Sequence, residues 1–192
     1  MPRLQARRVI LRPVEESDLE LLKEWRNSTD YMATCTTSGA CVSIEELKKQ
    51  IASRPFQFMI AHIQKGPIGT IFANKANLID GHLFITTFLA PSFRDCGYGP
   101  MALILAIDFS FTHYPLRKIY FDVYVSNHNS RSSFEGGLKR LGFEREGIFR
   151  EHRFYNGVYL DMVRFSIFKE SRGLIKSFLE KADRFDSLKM EL

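Results

Sequence analysis

The stretch FRDCGYGPMA, Phe93 to Ala102, sets Arg94 three residues before Gly97 and five before Gly99, then runs into the apolar LILAIDFSF. Glycine permits positive φ and close backbone approach. A helix N-terminus offers unpaired N–H groups and the positive end of a dipole, so glycines at the mouth of a helix suit a phosphate. A tight turn ahead of a helix uses the same residue types, and the fragment by itself leaves both readings open.

Two other phosphate chemistries compete for these residues. Gly97-Tyr98-Gly99-Pro100-Met101-Ala102 satisfies the dinucleotide pattern G-x-G-x-x-A, with Asp122 lying 25 residues after Gly97, where a ribose-binding acid would sit. That pattern must follow its strand almost immediately and be flanked by βαβ units. Here Pro91 to Cys96 intervene and the flanks read as antiparallel hairpins. A Walker-type loop is excluded because no Lys-Ser or Lys-Thr follows the glycines. Elsewhere, Cys96 has no base at a recognisable spacing, so an acyl-cysteine route is not expected, and no His, Cys and carboxylate grouping has metal-ligand spacing. His128 and His152 are read as surface or core histidines without a catalytic role.

The elements that must position these residues follow from periodicity. RRVILRPV alternates as a strand, and EESDLELLKEWRN puts Leu19, Leu22 and Trp25 on one helical face. SIEELKKQIAS has the Ser43 and Glu46 spacing of a capping box. Between these two helices STDYMATCTTSGACV reads as a polar loop. FQFMIAHIQ, IGTIFANKA and HLFITTFLA form an antiparallel meander, the glycine segment and its helix follow, and RKIYFDVYVSN is a further strand. A short helix over SSFEGGLKRLG precedes two strands that turn at Asn156-Gly157. From Glu170 onward, Leu174, Ile175, Phe178, Leu179, Ala182 and Phe185 form a stripe at helical spacing, which predicts an amphipathic tail helix.

Composition bounds the class. The 192 residues, 45% hydrophobic and with 17 phenylalanines, suffice for a core without metal or disulfide. The longest apolar run, MALILAI, stops at Asp108, and MPRLQARRVILR lacks the apolar centre of a signal peptide, so a cytoplasmic protein without a membrane span is expected. Cys35, Cys41 and Cys96 are read as free thiols. The formal charge of +5 favours an anionic partner, but the basic residues are scattered and no direct nucleic-acid binding is expected.

With these motifs quoted, FLAPSFRDCGYGPMAL resembles the acyl-CoA-binding motif of the GNAT N-acetyltransferase superfamily, R/Q-x-x-G-x-G/A after a strand, through Arg94, Gly97 and Gly99. LRPVEESDLELLKEWRN, KGPIGTI, SNHNSR and LKRLGFEREGIFREHRFYNGVYLDMVRFSIFK fall in the family's order over nearly all of 8 to 169, most closely that of the ribosomal-protein-alanine N-acetyltransferase branch. The resemblance implies an α+β fold of three layers, with a mixed, mostly antiparallel central sheet flanked by helices and splayed between its fourth and fifth strands. It assigns 1–169 to the acetyltransferase domain and leaves 170–192 as a helical extension of it. Acetyl-CoA is implied as cosubstrate, with no metal. Its pyrophosphate would lie on the backbone of Arg94, Asp95, Cys96, Gly97, Tyr98 and Gly99, and its pantetheine along Phe88 and Leu89. Pro100, which has no N–H, is expected as the first helical residue.

Acetyl transfer to an amine needs a proton acceptor for the ammonium and a proton donor for the departing thiolate. By the resemblance Asp122 stands at the place of a glutamate base, and the reading that it pairs with a basic neighbour remains beside it. The tyrosine acid of many family members is absent, its place being Leu138, and Asn127 to Phe143 is longer than usual by about one helical turn. The N-x-x-S pattern of the branch is met twice, by Asn127 with Ser130 and by Asn129 with Ser132, so Ser130 and Ser132 are candidate catalytic groups and Asn127 and Asn129 candidate cofactor ligands. Ser132 with Glu135 also makes a capping box. The acceptor implied is a primary amine attacking the thioester directly. A small molecule such as an amino sugar or antibiotic is favoured, with a protein or peptide N-terminus as the alternative and a non-catalytic acyl-CoA-binding module as the second class. The tail helix is expected to pack on its own sheet or across a homodimer.

Overall fold

A computed structural model of the chain describes residues 4–35 and 40–190, with side chains described throughout except at Asn129 and 183–190. Along the chain come β1 (Gln5–Ala6), β2 (Val9–Pro13), α1 (Leu19–Arg26), α2 (Thr29–Thr34) and α3 (Ile44–Ala52). The meander follows as β3 (Gln57–His62), β4 (Gly66–Asn77) and β5 (His82–Leu89), then α4 (Tyr98–His113), β6 (Lys118–Tyr124) and α5 (His128–Glu135). β7 (Phe143–Tyr155), β8 (Val158–Phe168) and α6 (Arg172–Met190) complete the described residues, whose single eight-stranded sheet has the order β1-β2-β3-β4-β5-β6-β8-β7. Neighbouring strands are antiparallel except β5 and β6, which run parallel. This is the expected mixed, mostly antiparallel sheet with a C-terminal helix.

Strand alternation sorts the two faces. Phe58, Ile60, Leu83, Ile85, Phe121 and Val123 point into the main core with α4, which is buried along most of its length. The intervening Met59 packs with Leu19, Leu22 and Leu47, while Phe72 and Phe88 pack with Tyr31, so α1, α2 and α3 cover the opposite face. The tail packs on its own chain: Ile175, Leu179 and Ala182 are buried in the α4 core, and Arg172 Nε donates to Asp108 Oδ1 at 3.0 Å. Of the expected stripe, Ile175, Leu179 and Ala182 are thus buried, Phe178 is partly buried and Leu174 is half exposed. Phe185 lies outside the described side chains.

Three local expectations are corrected. The first strand is split, because Arg7 adopts φ 51° and Arg7-Arg8 turn the chain into a small hairpin pairing Ala6 with Val9. Part of the segment read as a loop is α2, capped by Ser28, whose Oγ accepts from Tyr31 N–H at 3.2 Å, and held by burial of Tyr31 against Phe88. The helix expected over SSFEGGLKRLG begins four residues earlier at His128, because Asn127 is its cap, and Gly136 ends it before a 3-10 turn over Gly137–Leu141. The hairpin at Asn156-Gly157 is as expected, with φ of 49° and 81° at its two central residues, the values a two-residue turn with right-handed strand twist requires.

Candidate active site

β5 and β6 pair only from His82↔Lys118 to Phe84↔Tyr120. Beyond that point β5 stays with β4 as far as Leu89, and β6 stays with β8 as far as Tyr124, so the two strands part. With β1 counted, these are the fifth and sixth strands, the pair that the family resemblance implied as fourth and fifth. The opening holds a cavity of about 440 Å³. Residues of β5, β6, α2, the α4 entry and α5 line it.

At the α4 end, Gly97 is the N-cap with φ 77°, the left-handed region that favours glycine. A Cβ there would meet nothing within 4 Å, so no internal crowding selects the glycine; backbone conformation does, and open space lies above it. A Cβ on Gly99 would come within 3.3 Å of Leu89 Cδ1 at the cavity wall. Tyr98 and Gly99 open the helix, where their N–H groups have no carbonyl four residues back in the helix. Pro100 is the third helical residue, not the first as expected, so its missing N–H falls among the same terminal donors and removes one of them. The loop therefore fits a pyrophosphate: open, glycine-built and at the positive end of a sixteen-residue helix.

Arg94 joins this loop to the opposite face. Its Nε donates to Leu89 O at 3.1 Å and its Nη1 to Asp30 Oδ1 of α2 at 3.0 Å. Leu89, Asp95 and Gly99 share the wall with it. Neither Cys96 nor Tyr98 is in that wall: Cys96 is exposed and the Tyr98 ring packs on His62, with ring centroids 5.4 Å apart. Phe88 lines the cavity but turns its ring toward Tyr31 and Trp25.

Across the opening, Asp122 lies in the wall on the α1–α3 side of the sheet. Its Oδ1 and Oδ2 accept from Arg164 Nε at 2.7 Å and Nη2 at 2.9 Å. The basic-neighbour reading of Asp122 is thus realised, in a residue that also lines the cavity. Asn127 Oδ1 accepts from Ser130 N–H at 3.2 Å, and both residues line the cavity. Ser132 is exposed and outside that wall, and its expected capping box is not formed, because the helix already starts at Asn127. The Asn129 side chain lies outside the described residues. Phe134 and Leu138 face the cavity from the same segment, neither with a hydroxyl, while Ser133 joins Ser130 there.

Sequence reasoning missed Arg164, Asp30 and Cys35. Arg164 sits opposite Asp122 in the β6–β8 register, a pairing that strand order decides. Cys35 lines the cavity with its Sγ 3.6 Å from Thr87 O, and burial pushes its thiol up to about 11. Among the described residues no group of three or more His, Cys, Asp or Glu could hold a metal ion, and no helix is long and apolar enough to cross a membrane.

A family model described as an acetyltransferase (GNAT) domain matches residues 8–144. The chain belongs to the GNAT acetyltransferases. It is an acetyl-CoA-dependent N-acetyltransferase. Among its relatives, the spermidine N(1)-acetyltransferase of Vibrio cholerae serotype O1 is 29% identical over 161 residues, covering 82% of this chain and 91% of the relative. That of Escherichia coli K12 is 25% identical over 167 residues, covering 85% and 88%. The crystal structure of spermidine N-acetyltransferase from Vibrio cholerae with CoA and spermine superposes with a TM-score of 0.76 at 26% identity, covering 86% of this chain and 98% of that one. A dodecameric structure of spermidine N-acetyltransferase from Vibrio cholerae, at 26% identity, has a TM-score of 0.70 and covers 85% and 95%. These GNAT relatives acetylate a polyamine; the narrower ribosomal-protein-alanine branch suggested by the sequence motifs is not the one they represent.

Proposed function

We propose that this GNAT enzyme acetylates the primary amine of a small molecule, with Asp122 accepting the ammonium proton. The observation that carries the reading is Asp122 itself. It stands in the wall where β5 and β6 part, and Arg164 fixes both its oxygens from the neighbouring strand. A carboxylate oxygen has more than one lone pair, so acceptance from Arg164 leaves capacity for a proton delivered directly or through water. The cosubstrate supplies the acetyl group as a thioester, with the loop from Arg94 to Gly99 holding its phosphates and the unpaired edge of β5 near Phe88 and Leu89 alongside its pantetheine.

The acceptor amine attacks the thioester directly; burial, which pushes the Cys35 thiol up, disfavours an acyl-cysteine relay. Ser130 supplies a hydroxyl on the far wall, positioned through the Asn127 cap, that donates a hydrogen bond to the departing thiolate, which takes up its proton from water. The acceptor class rests on the relatives, whose names specify a small amine, and on a cavity within the usual range for small ligands, about 300 to 1,000 Å³.

Thiol release from acetyl-CoA, measured with a panel of small amines and with peptides bearing free N-termini, tests the reading. Turnover with a small amine is expected. Turnover restricted to peptide N-termini would replace the acceptor class, and acetyl-CoA binding without turnover on any amine would leave a binding module.

A further inference from the structure

α2 has six residues, too few to persist as a helix by themselves, yet Thr34 at its end and the capping Cys35 are part of the cavity wall. Two arginines from distant parts of the chain hold its ends. In the first turn, Asp30 Oδ1 accepts from Nη1 of Arg94, in the phosphate loop, at 3.0 Å. In the last turn, the carbonyls of Met32 and Ala33 are of the kind that a helix end leaves without partners of its own. Arg153 of β7 donates Nη2 to the first and Nη1 to the second, the latter at 2.6 Å and across 120 residues of sequence. It caps α2 from outside.

Arg153 is also seated on the opposite wall. Its guanidinium lies 4.3 Å over the Tyr124 ring and 5.0 Å over that of Tyr155. Tyr124 follows Asp122 by two residues on β6, so both stand on one face of the sheet. The Tyr124 hydroxyl registers the same neighbourhood: burial pushes its pKa up, Arg153 acts against that, and Asp122 and Cys35 add to it. A bulge brings Arg153 there. β7 pairs with β8 at Phe149↔Met162 and again at Arg153↔Leu160, so Arg150, Glu151 and His152 stand opposite Asp161 alone, with Glu151 at φ 48°. Such a bulge bends its strand and re-aims side chains. Arg153 is only 6% exposed. Packing alone does not call for arginine at a buried place, where an apolar side chain of similar volume often serves as well or better. A fork that reaches two adjacent carbonyls does call for it.

We propose that Arg153 is a positioning residue for acetyl transfer: its fork onto the Met32 and Ala33 carbonyls sets the end of α2, with Thr34 and Cys35, against the strand of Asp122 and so shapes the acceptor side of the cavity. The proposal rests on the reading above that places Asp122 beside the acceptor amine. The phosphate loop has anchors of its own, in the start of α4 and in the bond from Arg94 Nε to Leu89 O. Loss of Arg153 therefore falls on the acceptor and spares acetyl-CoA.

Arg153→Met keeps an unbranched stem and removes every donor, and Arg153→Lys restores a charged donor without the fork. Both are compared with the wild type by kcat and acceptor KM of thiol release, by acetyl-CoA Kd from calorimetric titration, and by hydrogen exchange of the α2 amides. The amine is spermidine or, where the wild type leaves spermidine untouched, the small amine or peptide of the panel above that it does acetylate. A peptide would overturn the small-molecule acceptor and leave the Arg153 comparison intact. Arg153→Met is expected to lower acceptor kcat/KM by about tenfold or more, mostly through KM, with acetyl-CoA Kd within about twofold and faster exchange in α2. Arg153→Lys should fall between it and the wild type. An unchanged acceptor KM, or an acetyl-CoA Kd that rises in step with it, would overturn the positioning role. Arg153→Lys decides by the same two quantities if Arg153→Met is not recovered folded.

Discussion

Arg164 and Asp122 face each other across β6 and β8 and are joined by two hydrogen bonds of 2.7 and 2.9 Å, a planar fork onto a carboxylate. Arg164 in turn lies 4.8 Å over the Phe84 ring and 4.7 Å over that of Phe149, so the carboxylate is held by a cation that is itself clamped between aromatic faces. The pair fixes a carboxylate at the point where two parallel strands separate, on the face of the sheet opposite α4.

Asp122→Asn keeps the shape of the side chain and removes its capacity as a base. Turnover is expected to fall by about 10²- to 10⁴-fold, the range for a positioned general base. The deficit should be largest at low pH and shrink as pH rises, because free acceptor amine then becomes available in solution. Acetyl-CoA affinity should be nearly unchanged. A pH–rate profile that overlays the wild type would remove Asp122 from the mechanism.

Gly97 and Gly99 fail differently on substitution. Gly97→Ala places a Cβ in open space but at φ 77°, so it should cost stability by about 1–2 kcal/mol and weaken acetyl-CoA through a shifted helix entry. Gly99→Glu directs a carboxylate toward the place of the pyrophosphate and should raise the acetyl-CoA Kd by more than about tenfold. Calorimetric titration with acetyl-CoA separates the two effects from a melting curve. Wild-type affinity in Gly99→Glu would refute the phosphate-loop assignment.

The tail tests which helical face is buried. Ile175→Ala, at a fully buried position against α4, is expected to cost about 2–5 kcal/mol, while Leu174→Ala, at a half-exposed one, should change stability by less than about 0.5 kcal/mol. Chemical denaturation of both variants decides it. Equal effects would show that Ile175 is no more deeply packed against α4 than Leu174.

What the sequence determined by itself is local. Alternation and helical spacing placed the strands, the meander and most helices, and Arg94, Gly97 and Gly99 marked the loop, because backbone conformation at a glycine and the donors of a helix N-terminus are properties of a few adjacent residues. Ser130 was legible only as one of two N-x-x-S options; the cap by Asn127 turned it inward and left Ser132 outside. Asp122 was legible as a candidate, but its face was not, since a period of two fixes alternation without saying which side is which. Its partner Arg164 lies 42 residues away and became a neighbour only when β8 entered between β6 and β7.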